Sequence, residues 1–304
     1  MPVADNRGSQ SNAPRPLGVS IILPFYNEQA TVEQCVGEIR EAMRGRNDYE
    51  IVIVDDGSSE LDVAALERLA DRVCHHRENR GYGAAIKTGI RNSTGEIIVI
   101  LDADATYPPR EIPRLLEQMK KCDMAIGDRS RQAASWRNIG PWHRRLAKRL
   151  LAVTANYLAA TRLPDLNSGL RAFRRADVER FLRLCPARFS LTATLTLAYV
   201  CEGMVVEFVP IDFRVRTGSE QSKVRPLYDT LSILMTIVRT VTFFNPLKVF
   251  LPAAAFLLTA GLLVLIYGVL FHHILDGTIA VLVLSGVQVF VLGLVADMIA
   301  RSRR

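Results

Sequence analysis

The chain has 304 residues, 49% of them hydrophobic, and a formal net charge of +7. That length holds one large domain or two ordinary ones. A basic balance suits nucleic acid, anionic lipid or phosphorylated ligands, and with no nucleic-acid-binding motif beside it, nucleic acid is set aside. The cysteines (Cys35, Cys74, Cys122, Cys185 and Cys201) are scattered without a CxxC pair, which excludes a disulfide framework or a zinc site and fits small core residues in a reducing compartment.

Residues 1–18 are polar, with Pro14 and Pro16 and no apolar core, and read as a flexible leader rather than a signal peptide. From Val19 onward, apolar strands alternate with helical patterns. Strands are expected at Val19–Pro24, Glu50–Val54, Arg72–His76, Ile97–Leu101 and Met124–Ile126. Helices are expected at Ala30–Arg44, Leu61–Leu69, Tyr82–Arg91 and Arg110–Lys120. The alternation implies an α/β domain over 19–225, with a mostly parallel sheet covered on both faces. Ligands of such sheets bind at the carboxyl ends of the strands. The segments at those ends are Pro24-Phe-Tyr-Asn-Glu28, Asp55-Asp-Gly-Ser58, Asn79-Arg-Gly-Tyr-Gly83 and Asp102-Ala-Asp104.

Of these, Asp102-Ala-Asp104 is the most informative. The apolar run Ile97–Leu101 delivers two carboxylates at a strand tip, and a hard divalent cation takes carboxylate oxygens together with waters and substrate phosphates. Asp55 and Asp56 could form a plain turn or accept hydrogen bonds from a nucleobase or ribose. Gly81-Tyr-Gly83 could place a phosphate on a helix N-terminus. It lacks the third glycine of a dinucleotide fingerprint, which would fall at Ile86, and no GK[ST] follows it. Lys87, one turn into that helix, reads equally as a ligand or a solvated residue. From Arg129 to Arg149 basic residues recur without an acid, with Trp136 and Trp142 among them, a composition suited to lipid headgroups. Asp165 reads either as a residue shaping the site or as a helix cap. The histidines His75, His76 and His143 show no metal-ligand spacing.

Residues 226–247 contain apolar positions at helical spacing, interrupted by Asp229, Ser232 and Arg239. They read as an amphipathic helix along a membrane surface, with a core helix as the alternative. Two uncharged runs follow inside 248–304. Val249–Phe271 would span roughly 34 Å as a helix and Thr278–Ala296 roughly 28 Å, against a hydrocarbon core of about 30 Å. Ser285, Gly286 and Gly293 offer small surfaces for helix contact, and Gln288 is expected to hydrogen-bond between the helices. The connection 272–277 lacks Lys and Arg, whereas Arg239, Lys248, Arg301, Arg303 and Arg304 lie at the opposite ends. The positive-inside rule then places both chain ends and the large domain in the cytoplasm.

The ordered motif set resembles the family 2 glycosyltransferases with the GT-A nucleotide-diphospho-sugar transferase fold, and within them the polyprenyl-phosphate glycosyltransferases. It comprises Leu23-Pro-Phe-Tyr-Asn-Glu28, Val54-Asp-Asp-Gly-Ser58, Asn79 to Gly89, Asp102 to Pro109, Asp165-Leu-Asn-Ser-Gly-Leu-Arg-Ala-Phe173 and Ser222-Lys223. The resemblance implies inverting transfer of a sugar from a UDP- or GDP-linked donor to a membrane polyprenyl phosphate, by an integral membrane protein that forms a homo-oligomer. It implies that Pro24, Tyr26, Glu28 and Asp56 line the nucleotide pocket and that Asp102 and Asp104 hold Mg²⁺ or Mn²⁺ on the diphosphate. It further implies that Arg129 meets the lipid phosphate and that Arg216, Ser222 and Lys223 close over the donor. Thr106 stands where the family commonly has Gln, and the loop Arg216–Lys223 is two residues longer than the family pattern. A processive polysaccharide synthase would need more spans and a Gln-x-x-Arg-Trp string, which does not occur here. A non-enzymatic scaffold on a degenerate domain is disfavoured by the intact acid pair.

Overall fold

The computed structural model describes residues 18–59, 62–130, 156–157, 161, 163–187, 191–214, 235, 238–271 and 276–302. The order begins β1 (Val19–Phe25), α1 (Gln29–Ala42), β2 (Tyr49–Asp55), α2 (Val63–Leu69), β3 (Arg72–His75), α3 (Tyr82–Asn92) and β4 (Ile97–Ile100). A 3-10 turn at Pro109–Glu111 leads into α4 (Ile112–Gln118), followed by β5 (Met124–Asp128), β6 (Arg171–Arg174), α5 (Arg175–Phe181), α6 (Leu191–Cys201) and β7 (Val206–Pro210). The chain closes with α7 (Leu247–Phe271) and α8 (Asp276–Ser302).

The strands form one sheet in the order β3-β2-β1-β4-β6-β5-β7. β1 lies parallel to β2 and β4, with Ile21 opposite Ile51 and Ile22 opposite Ile100. β6 runs antiparallel between β4 and β5. Every residue of β1 is buried, because the sheet is covered on both sides and neither face can be polar. Period-two alternation sorts the strand residues between two cores. Ile21, Leu23, Phe25, Ile51, Ile53 and Val99 pack with α1 and α4. Ile22, Val52, Val54, Ile98 and Ile100 pack with α3, α5 and α6.

The expected strands appear within one or two residues of their expected ends. β6, β7, α5 and α6 were not anticipated. β6 is four residues long and includes a fully buried arginine, Arg171. In α6 Leu191 to Tyr199 are all buried, so no polar face marks its period.

α7 and α8 are long and apolar enough to cross a membrane, at roughly 1.5 Å per residue for 25 and 27 residues. They pack as a hairpin. A Cβ built on Gly286 would lie 2.8 Å from Leu258 and one on Gly293 would lie 2.6 Å from Phe250, so two of the three expected small residues do allow close approach. Gln288 corrects the sequence reading, since it is exposed on the outer face of the hairpin instead of bridging the helices.

Residues 238–244 are helical. Val241 packs with Leu163 and Leu197, and Phe244 meets Phe181 edge-on at 6.2 Å, so this end of the connecting segment belongs to the α/β domain's core. Residues 226–234, where the surface helix was expected to begin, lie outside the described residues.

Candidate active site

The carboxyl tips of β1, β2 and β4 sit side by side, and hydrogen bonds tie their loops together. The Asn27 backbone N–H donates to Ser58 Oγ at 2.9 Å, and Asn27 Oδ1 accepts from the Ser59 N–H at 3.1 Å. Thr31, in the first turn of α1, donates to the carbonyl of Ala103 at 2.8 Å. Asp56 accepts from the N–H groups of Arg80 and Gly81 at 3.0 and 2.7 Å and pairs with His76 Nδ1 at 2.7 Å. Such cross-links preorganise a site built on loops.

Asp102 and Asp104 leave the end of β4 on either side of buried Ala103. Ala105 then turns at φ +58°, a left-handed conformation that costs a non-glycine residue on the order of 1 kcal/mol and clusters at functional sites. Thr106 donates to Asp104 Oδ1 from its N–H at 3.1 Å and from its hydroxyl at 2.6 Å. The residue that departs from the family's usual Gln therefore orients the acid beside it. Tyr82 donates to Asp102 Oδ1 at 2.7 Å. Burial pushes the Asp102 carboxyl up to about 6 and the neighbouring Asp104 charge adds to the rise, while the Tyr82 hydrogen bond opposes it. Behind it, Gly169 is so close that a Cβ there would sit 1.9 Å from Asp102 Oδ2. The Gly169 N–H donates to Tyr107 Oη at 2.7 Å.

Arg129 and Asp165, both expected in the site, form a two-bonded ion pair. Arg129 Nε donates to Asp165 Oδ2 at 2.7 Å and Nη2 to Oδ1 at 2.9 Å. The guanidinium lies 5.6 Å from the Tyr107 ring and 5.3 Å from the Phe213 ring. The Asp165 hydrogen bonds hold the Arg129 pKa up against the opposing effect of burial. Among the described residues no acceptor meets Nη1 of Arg129. Below the pair, Arg171 is wholly buried and donates to the carbonyls of Ser168, Thr192 and Leu166 and to Thr196 Oγ1. Burial pushes its pKa down.

Pro24 is buried at the end of β1 opposite Val54, Tyr26 is 47% exposed, and Glu28 is half-buried as the N-cap residue of α1. Gly83, read as able to place a phosphate, and Lys87, read equally as a ligand or a solvated residue, both meet chain 185–187 in the fold. A Cβ on Gly83 would meet the Pro186 carbonyl oxygen, the Ala84 N–H donates to Ala187 at 2.7 Å, and Lys87 donates to the carbonyl of Cys185. Chain 185–187 covers this helix N-terminus, supplying one carbonyl to the Ala84 N–H and another to Lys87. Arg216, Ser222 and Lys223, and the basic run beyond Ser130, lie outside the described residues. Sequence reasoning gave no role to Tyr82, Thr106, Tyr107, Gly169 or Arg171. Gly169 and Arg171 fall inside the quoted motif, but only the fold shows what they touch.

Among the described residues no cluster of three or more Asp, Glu, His or Cys could cage a metal alone. The acid pair supplies oxygen donors only, and Arg129 and Arg171 act on Asp102 through their charge without bonding to it. That donor set fits a hard cation completed by diphosphate oxygens and water.

Parallel strands closed by one antiparallel strand, with Asp-x-Asp beyond β4, define a GT-A sugar-transferase fold. Residues 20–182 match the family profile described as glycosyl transferase family 2, and residues 245–302 match the GtrB C-terminal hairpin. The chain belongs to glycosyltransferase family 2. It is 30% identical over 230 residues to a dolichol-phosphate mannosyltransferase of Pyrococcus furiosus, covering 73% of this chain and 64% of that protein. It is 27% identical over 299 residues to an undecaprenyl-phosphate 4-deoxy-4-formamido-L-arabinose transferase of Proteus mirabilis, covering 93% of this chain and 88% of that one. The match spans only about half, 49%, of the Pseudomonas aeruginosa transferase of the same name. In structure, glucosyl-3-phosphoglycerate synthase of Mycobacterium tuberculosis with Mn²⁺ and UDP-glucose superposes with a TM-score of 0.55 at 20% identity, covering 74% of this chain and 79% of that one. That likeness speaks for the fold.

Proposed function

We propose that the protein transfers a sugar from a nucleoside-diphosphate sugar to a polyprenyl phosphate at the cytoplasmic face of a membrane, with inversion. The observation that carries this reading is the joining, in one chain, of a family 2 domain bearing an intact acid pair at the β4 tip to a hairpin of two membrane-length apolar helices. The relatives named for dolichol-phosphate and undecaprenyl-phosphate substrates support it. Residues 19–225 form the catalytic part, 226–247 the link and 248–304 the anchor. Charge in the loops supports the orientation.

Asp102 and Asp104 would hold Mg²⁺ or Mn²⁺, which when bound would supply positive charge against the negative charge that builds on the departing nucleoside diphosphate. Tyr82 and Thr106 fix the directions of the two carboxylates. Pro24, Tyr26 and Glu28 face the nucleotide at the β1 tip. Asp56 serves that pocket by holding the Arg80–Gly81 backbone. The acceptor phosphate meets Arg129 through its remaining Nη1, while Asp165 locks the guanidinium in place. A phosphate monoester with a second pKa near 6 is largely ionised at neutral pH, so its oxygen attacks the anomeric carbon without a strong general base. Asp165, already bonded to Arg129, is a positioning residue.

The test is a panel of radiolabelled UDP- and GDP-sugars incubated with membranes holding the protein, undecaprenyl or dolichyl phosphate, and Mn²⁺. One label moves into the organic phase, and Asp104→Ala abolishes the movement. Full transfer by Asp104→Ala, or no transfer from any donor, overturns the proposal.

A further inference from the structure

Away from the β4 tip, the base of α8 meets the α/β domain across a crevice of about 520 Å³. Arg180 and Arg183 line it from α5 and the turn after it, Phe243 from the segment before α7, and Ala296, Ile299 and Ala300 from the last turns of α8. None of these residues belongs to the site described above. Both arginines are exposed, and neither meets a carboxylate within salt-bridge distance among the described residues. The Arg180 guanidinium lies over the Phe181 ring at 5.5 Å, which restrains it. Glu202 is the single acid on the lining.

The position of the crevice limits what can fill it. α8 turns from an apolar surface, with Leu292, Val295, Met298 and Ile299 exposed, to the Asp297–Arg301 ion pair at 2.7 Å. In a bilayer that change marks the headgroup layer. The crevice therefore offers guanidinium groups at headgroup depth beside an apolar wall open to acyl chains. A guanidinium matches a phosphate diester through two parallel hydrogen bonds. A free anion would gain nothing from Phe243 and Ile299.

We propose that this crevice binds an anionic phospholipid of the bilayer, its phosphate on Arg180 and Arg183 and one acyl chain along the end of α8. The lipid would couple the catalytic domain to the hairpin at a second place besides the covalent link. The site is independent of the sugar-transfer reading.

The test uses the full chain in detergent, with bound lipids counted by native mass spectrometry as short-chain phosphatidylglycerol is titrated. Phosphatidylcholine, inorganic phosphate and undecaprenyl phosphate form separate arms. Phosphatidylglycerol binds, and R180Q/R183Q weakens it by about 30-fold, the loss expected for two arginines at an anionic surface. R180K/R183K recovers part of the affinity, and the charge-matched control R68Q/R91Q does not alter it. Equal binding to R180Q/R183Q, or equal binding of phosphatidylcholine, overturns the proposal. So does displacement of the phospholipid by inorganic phosphate or by undecaprenyl phosphate at comparable concentrations.

Discussion

Gly169→Ala separates the positioning of Asp102 from the integrity of the fold. The added methyl would lie 1.9 Å from Asp102 Oδ2 and 2.4 Å from its Cγ, where ordinary contact begins near 3.4 Å. The obstacle is the end of a side chain, so the backbone can stay while the carboxylate retreats by about 1.5 Å. That retreat breaks the 2.7 Å bond from Tyr82 and moves the carboxylate proposed to hold the metal. Overpacking of this kind costs about 1–3 kcal/mol, which lowers Tm by roughly 3–10 °C in a domain of this size. A displacement of about 1 Å in a catalytic arrangement costs on the order of 100-fold in rate. Initial transfer rates at saturating Mn²⁺, set beside Tm from circular dichroism, should show activity falling about 100-fold in a variant that still folds. Near-native transfer by Gly169→Ala would refute the argument that Gly169 is needed to make room for Asp102.

Thr106→Val keeps the shape of the side chain but removes the 2.6 Å hydroxyl bond to Asp104; Mn²⁺ affinity should weaken at least about 10-fold with little change in Tm, and unchanged affinity counts against the orienting role. Asp165→Asn leaves the Arg129 guanidinium, 26% exposed, without its carboxylate; stability should fall by about 2–3 kcal/mol in a chemical unfolding titration, and a loss below about 0.5 kcal/mol would mean the pair is only decorative. Asp102, raised to about 6, keeps in the folded chain a proton that an unfolded carboxyl releases near 3.8. The metal-free protein should therefore lose stability as pH rises from about 4 to 6. Cations bind the ionised form, so Mn²⁺ affinity should drop about tenfold per unit as pH falls below about 6; a flat profile from about pH 5 to 7 contradicts the assignment.

Much of the α/β domain is legible before any coordinates. The runs that became β1, β2 and β4 are continuous and apolar because the sheet is covered on both faces, and their polar ends mark the site. The acid pair, Arg129 and Asp165 are all recognisable by type. That Arg129 and Asp165 bond to each other is not, because they lie 36 residues apart and only the return of β6 antiparallel to β5 brings them together. The contacts of Gly83 and Lys87 are hidden for the same reason. Their partners at 185–187 are about a hundred residues downstream, 98 in the case of Lys87 and Cys185, and a local pattern carries no trace of them. Arg171 escapes for a different reason. A charged residue normally signals surface, and here backbone carbonyls and a threonine hydroxyl replace water around a buried guanidinium. α6 escapes because a helix buried all round has no amphipathic period to detect.

The central claim is that Asp102 and Asp104 grip a divalent cation together with a donor diphosphate. Electron paramagnetic resonance of Mn²⁺ titrated into the full chain, with and without UDP or GDP, measures this directly. The free six-line signal should fade as Mn²⁺ binds, more tightly with one of the nucleotides present, and Asp102→Asn/Asp104→Asn should restore the free signal. Undiminished Mn²⁺ binding in that variant, or binding indifferent to both nucleotides, would contradict it.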